Sequence, residues 1–238
     1  MKRPVFNDLP ALSYWSDQKI TDELLRAALR DAATRYAKGR LVDLGCGAKP
    51  YEPYFAPKVE SYFGVDFGDT AELHYGVATR ADLFVDGADT KLPSASFDTL
   101  LSTQVLEHVF ETDRFVAECH RLLAKGGVGI FTIPFVWQCH AEPNDFFRFT
   151  RYSLEKLFVK HGFRILELRP LGGAYATIMQ TRIISLHCRE LRNLPYRLLR
   201  KVRNFVMLPI WNWMGLHLDR LFWNDKLCLN YLLVVAKP

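Results

Sequence analysis

An alternation of two patterns constrains this fold more than any other feature. Short apolar runs recur along the chain: RLVDLG (40–45), SYFGVDF (61–67), ADLFVDG (81–87), SFDTLLSTQ (96–104), VGIFTIPF (128–135), FRILELRP (163–170) and NYLLVVAKP (230–238). Several of them are separated by stretches of helical spacing. From Asp17 to Lys38, Ile20, Leu24, Ala28 and Ala32 recur at steps of four, and Gly39 is the expected stop. After the fourth run, Phe115, Val116, Cys119, Leu122 and Leu123 share a helical face, with Thr112 placed as its cap and KGG (125–127) as its end. RYSLEKLFVKHG (151–162) reads as a further helix. Strands alternating with helices imply a mostly parallel sheet covered on both faces.

Ligands of such sheets sit at the carboxyl ends of the strands, near the switch in strand order. Gly45, Asp66, Asp86, Gln104 and the loop after Phe135 are therefore expected around one crevice. Glycines at 45 and 47 allow a sharp turn and a close approach of ligand to main chain. A dinucleotide site needs a further glycine and a pyrophosphate seat. Here AKPY (48–51) follows instead, and Pro50 removes a backbone donor. A nicotinamide oxidoreductase is thereby disfavoured, and a ligand with a ribose but no phosphate fits better.

VDLGCG (42–47), GVDF (64–67), LPSASFDTLLSTQVLEHV (92–109) and RLLAKGGVGIFTIP (121–134), in that order, resemble the class I S-adenosylmethionine-dependent methyltransferases. The pattern His-x-x-Pro-x-Asp-Phe-x-Arg-Phe over 140–149 is similar to that of a type 11-like small-molecule and glycan-pathway subgroup. The resemblance runs from about Arg40 to Gly173 and resumes at Asn230. It implies a Rossmann-like seven-stranded sheet, mostly parallel with an antiparallel last strand, and S-adenosyl-L-methionine as cofactor. It also implies roles. The backbone of Gly45, Cys46 and Gly47 faces the methionine part, and Asp43 orients that loop. Asp66, with Phe67 beside it, takes the ribose hydroxyls, since one carboxylate can accept from both. Asp86, next to Gly87, is preferred over Asp89 at the adenine. Gln104 and Val105 lie beside the transferred methyl.

Methyl transfer requires an in-line nucleophile and a site that excludes water, plus deprotonation when the nucleophile is a hydroxyl. His108, in LEHV, and His140, in WQCHAEPNDFFRFT (137–150), are the candidate bases, with His140 preferred. The second stretch stands where enzymes of this class bind their acceptor. Trp137, Asp145, Phe147 and Arg148 are its candidate acceptor contacts, joined by Tyr175. Asp145 and Arg148 have a second reading as an internal salt bridge that fixes the loop. No close-spaced Cys/His ligands recur, so no metal is expected. STQV (102–105) stands where many methylases of nucleobase or glutamine nitrogens carry a [DN]PP[YF] tetrad, so no nucleic-acid partner is expected.

About half of the chain is hydrophobic, enough for a large core, yet no apolar run approaches the roughly 18 residues that span a bilayer. The N-terminus lacks the apolar stretch of a signal peptide. Five scattered cysteines suit reduced thiols in the cytoplasm. The expected organisation is one methyltransferase domain over 1–238, with an N-terminal helical region at 1–39 and a helical insertion at 174–229. That insertion holds nine Lys/Arg against three acids, a net of +6, in a chain of net +5. RLLRKVRNFVML (197–208) is basic and amphipathic, and Pro209 is placed to start a second helix carrying Trp211, Trp213 and Trp223 nearby. Three readings stand open: a lid, a cap or homodimer contact completing the acceptor pocket, and peripheral membrane contact through 196–223 at the inner membrane face. The expected function is methyl transfer to a small-molecule or sugar acceptor, on oxygen first and nitrogen next. The alternatives are a membrane-surface enzyme acting on a lipid-linked glycan and a non-catalytic cofactor-binding module.

Overall fold

The computed structural model describes residues 12–68, 79–187 and 194–238, with side chains at all of these except 186, 187 and 194–204. Helix α1 spans Lys19–Tyr36, followed by β1 (Arg40–Leu44), the short α2 (Glu52–Phe55), β2 (Ser61–Asp66), β3 (Leu83–Phe84) and β4 (Phe97–Thr103). Then come α3 (Thr112–Leu122), β5 (Leu123–Pro134), α4 (Arg151–Lys160), β6 (Arg164–Leu171), α5 (Ala174–His187), α6 (Leu194–Leu221) and β7 (Asn230–Ala236). The sheet has seven strands in the order β3-β2-β1-β4-β5-β7-β6. The pairs β1–β2, β1–β4, β2–β3 and β4–β5 are parallel, whereas β7 runs antiparallel to both β5 and β6. Strand order reverses at β1 and β4, which places the crevice at their carboxyl ends.

Both faces of the sheet are buried, as near-continuous apolar strands require. In β1 the neighbours Leu41 and Val42 point to opposite cores. Leu41 joins Leu25, Ala28, Leu29 and Ala32 of α1, and Val42 joins Phe115, Cys119 and Leu122 of α3 with Phe158 of α4. A third cluster, of Ile20, Ala176, Ile183, Leu208, Trp211 and Leu229, packs the insertion helices α5 and α6 against the start of α1.

Several local expectations need correction. Helix α1 stops at Tyr36, because Ala37 is extended, and Gly39 lies beyond the end. Thr112 is the first residue of α3 and not its cap; Glu111 precedes the helix with no side-chain capping bond. The KGG segment does not stand outside the fifth strand. β5 already begins at Leu123, and its register against β4 slips between the Phe97–Leu123 and Thr99–Val128 pairs, so the glycines lie in the irregularity. The third strand keeps only Leu83 and Phe84.

Pro209 starts no new helix: α6 runs through it as one helix of 28 residues. A proline inside a helix leaves the carbonyl four residues earlier without its N–H partner. That carbonyl, Phe205 O, accepts instead from the indole N–H of Trp15 at 2.9 Å. The neighbouring segment is held in the same way. The Asn212 amide donates to Tyr14 O at 2.7 Å and Ser16 O at 2.8 Å, and the Gln180 amide donates to Asp17 O at 2.6 Å.

Candidate active site

The loop after β1 is built for close approach. Gly45 and Gly47 have φ of +73° and +49°, in the left-handed region. A Cβ on Gly45 would lie 2.3 Å from Val105 Cγ2, whereas a Cβ on Gly47 would meet nothing within 4 Å. Gly45 is thus required by protein packing, and Gly47 faces open crevice. Asp66, at the end of β2, accepts from Gly47 N at 2.6 Å and from Phe67 N at 2.7 Å. Its carboxylate braces the loop and has lone pairs left to accept further hydrogen bonds.

Gly45, Gly47, Asp66, Phe67, Asp86, Gly87, Gln104, Val105 and His108 all line one crevice of about 410 Å³. That volume and the bare backbone at Gly47 suit a nucleoside ligand. Asp86 lines the crevice and accepts from Ala88 N at 2.8 Å, while Asp89 pairs with Lys91 at 2.5 Å outside it. Gln104 has φ +56° and is held by Thr132, through its N–H to Thr132 O at 2.8 Å and its amide to Thr132 Oγ1 at 3.2 Å. Asp43 and Cys46 are not in the lining. Both are buried behind the loop, where Asp43 accepts from the Tyr62 hydroxyl and burial pushes the Cys46 thiol up.

Beside the crevice the fold joins two distant segments. His108 Nε2 lies 3.1 Å from His140 Nε2, across 32 residues of sequence. His108 lines the crevice, as do Ala141 and Asn144; His140, the preferred base, is not itself in the lining and reaches the crevice through His108. Burial lowers the pKa of His108, against the pull of the Asn144 carbonyl on its ring. Glu107, beside it, is wholly buried, and neither of its carboxylate oxygens has a hydrogen-bond partner. Burial lifts its pKa to about 8, opposed by the charge of Arg148. Sequence spacing drew attention to His108 and passed over Glu107. The charged residue inside an otherwise apolar VLEHV segment was the available signal.

Asp145 and Arg148 are turned toward each other. Arg148 Nη1 and Nη2 reach Asp145 Oδ1 and Oδ2 at 2.7 and 2.8 Å, and Nη2 also donates to Gln138 O at 3.0 Å. Burial would raise the Asp145 carboxyl, but this forked pairing and the His140 N–H hold it at about 2. Neither residue lines the crevice, nor do Trp137, Phe147 and Tyr175. Trp137 packs against the third core cluster, Phe147 stacks near Phe110 at 6.0 Å, and Tyr175 meets Phe222 at 5.8 Å. Phe110, missed by the sequence reading, does line the crevice and is 70% exposed.

A glycine loop after β1 and an acid at the end of β2, at the switch point of such a sheet, make a Rossmann-like fold with its crevice where that fold class holds its ligands. The chain matches the family model described as methyltransferase domain over residues 42–131. It is similar to a probable S-adenosylmethionine-dependent methyltransferase of Mycolicibacterium smegmatis, at 31% identity over 43% of this chain and 40% of that one. It is also similar to a ubiquinone biosynthesis O-methyltransferase of Mesorhizobium japonicum, at 30% identity over 46% of this chain and 47% of that one. The chain thus spans less than half the length of these curated relatives. In fold it resembles the [4+2]-cyclase SpnF, with TM-score 0.58, 18% identity and coverage of 91% and 81% of the two chains. A SAM-dependent methyltransferase from Archaeoglobus fulgidus is similar too, with TM-score 0.57, 16% identity and coverage of 93% and 97%. Among the described residues no helix is long and apolar enough to cross a membrane.

Proposed function

We propose that this protein transfers a methyl group from S-adenosyl-L-methionine to a hydroxyl oxygen of a small-molecule or sugar acceptor, in the cytoplasm, with nitrogen as the next choice of nucleophile. The observation that carries this reading is the His108–His140 pair, of which His108 lines the crevice together with Gln104 and Val105. Bound in the crevice, the cofactor supplies a methyl group on a sulfonium, with a thioether as its leaving group. What the chain must supply is position, a dry site and an exit for the hydroxyl proton. Asp66 and the Gly47 backbone fix the nucleoside end, and Gln104 is locked by Thr132 next to the reacting position. The hydroxyl is activated at the imidazole pair. Asp145 and Arg148 serve this site as the brace that holds the His140 loop. Similarity to a protein named as an O-methyltransferase favours oxygen.

Transfer of labelled methyl from S-adenosyl-L-methionine into a panel of hydroxylated acceptors tests this reading. His140→Ala should lower the rate by about 10²–10⁴, with S-adenosylhomocysteine affinity unchanged in calorimetry. Affinity for NAD equal to that for S-adenosylhomocysteine would sink the assignment.

A second reading, action at a membrane surface on a lipid-linked acceptor, is favoured by one observation. Phe205, Ile210, Trp213, Leu221, Phe222 and Trp223 are exposed along and just beyond α6, in the most basic part of the chain.

A further inference from the structure

The imidazoles of His108 and His140 pose a problem of protons. His108 Nδ1 lies 2.7 Å from Asn144 O. His140 Nδ1 lies 3.2 Å from Gln138 O and 3.3 Å from Asp145 Oδ2. All three partners are acceptors, so each Nδ1 carries the proton. A neutral imidazole has one N–H. Both Nε2 atoms are then bare lone pairs, and they face each other at 3.1 Å. Something positive has to stand between them. Glu107 Oε1 lies 3.7 Å from His108 Nε2, on a carboxylate with no hydrogen bond to either oxygen and no exposure to solvent.

We propose that Glu107, His108 and His140 form a divalent-cation site, binding a first-row metal ion through the two Nε2 atoms and one carboxylate oxygen. The three ligand atoms lie within 4.8 Å of one another. Ligands about 2.0–2.1 Å from a tetrahedral ion stand about 3.3 Å apart, close to the 3.1 Å between the two Nε2 atoms and the 3.7 Å from His108 Nε2 to Glu107 Oε1. The outer contacts are those of metal-bound histidines, whose second nitrogen donates to a carbonyl or carboxylate and so fixes the tautomer. Two imidazoles with one carboxylate suit zinc, iron or manganese and leave coordination positions open. No spacing rule shows this set in the sequence, because the 32 residues between the histidines are closed only by the fold.

The ion's role rests on the methyl-transfer reading. An acceptor hydroxyl entering an open position loses its proton to solvent more readily than a free one. Its oxygen then bonds the methyl carbon, while the pair of the broken C–S bond stays on sulfur. The imidazoles then act on the hydroxyl through the ion they hold.

Titration of the full chain with Co²⁺, without cofactor, tests the site. One ion per chain should bind, with the visible d–d bands of a nitrogen-ligated site, and Zn²⁺ should displace it. Glu107→Gln and, separately, His140→Ala should each weaken uptake by at least about tenfold, with circular dichroism reporting that both fold. No saturable uptake would mean that the imidazoles share a proton, and would overturn the proposal. Uptake unchanged in both variants would overturn it too, and would move binding to a group such as the exposed Cys139. Calorimetry with S-adenosylhomocysteine separates the two readings. Cofactor binding with no Co²⁺ uptake removes the ion alone. Uptake without cofactor binding supports the ion site and removes the methyl-transfer reading.

Discussion

Asp43 shows how burial decides what a residue does. Its Oδ2 accepts from the Tyr62 hydroxyl, and its Oδ1 has no partner. Burial lifts its pKa to about 7, with the Tyr62 bond and the charge of Lys49 pulling the other way. Lys49 itself is engaged by Asp82 at 2.6 Å. The folded value stands above the unfolded value of about 3.9, so the native state keeps a proton that the unfolded chain gives up. This group's contribution is therefore most favourable below about pH 4, declines as pH rises to about 7 and is flat beyond. The loss is on the order of a few kcal/mol. Urea midpoints of the wild type should fall between pH 5 and pH 8, and Asp43→Asn should flatten that slope. An unchanged slope in the variant would place the effect on other groups. The residues ahead of the glycines make Asp43 legible as part of the loop. That it sits behind the loop follows from core on both faces of β1, which local spacing does not reveal. Glu107 escapes the sequence for the same reason.

At the scale of elements, the β1 loop and the segment after β4 are one packed unit. Gly45 is tight against Val105, so Gly45→Ala adds both a clash and a strained φ. Together these should cost about 2–4 kcal/mol in denaturant unfolding. In a Val105→Ala background the clash is relieved and only the φ strain remains, so a double-mutant cycle should show coupling of about 1–3 kcal/mol. Purely additive costs would show that the loop moves aside instead. Most elements here are legible because their apolar runs are long and their periods clean, as in β1, β4 and β7. Boundaries are less so. Thr112 resembles a cap and is the first helical residue, and Pro209 resembles a start and lies inside α6. A proline blocks one hydrogen bond, and whether that stops a helix depends on what else can reach the freed carbonyl. Here a tryptophan about 190 residues away in sequence does so.

Across the whole molecule, charge and apolar surface coincide. Trp211 is buried against α1 and α5, whereas Trp213 and Trp223 are 52% and 58% exposed. Arg197, Arg200, Lys201 and Arg203 belong to the same helix in sequence, but their side chains lie outside those described. Anionic vesicles should shift tryptophan emission at low salt, and the shift should fade as the screening length falls from about 30 to 8 Å. Replacing those four basic residues by Gln should abolish it. An emission spectrum indifferent to vesicles would leave the helices as a cover over the fold. Either way, the insertion is not free to swing alone. Its side chains grip residues 14–17 by their backbone carbonyls, through Asn212 and Gln180, and one tryptophan ring answers the gap that Pro209 opens. A grip on main chain is indifferent to what the gripped residues are. As a tether the stretch acts through its presence and its path, with the Trp15 ring the one side chain of its own that the grip itself uses.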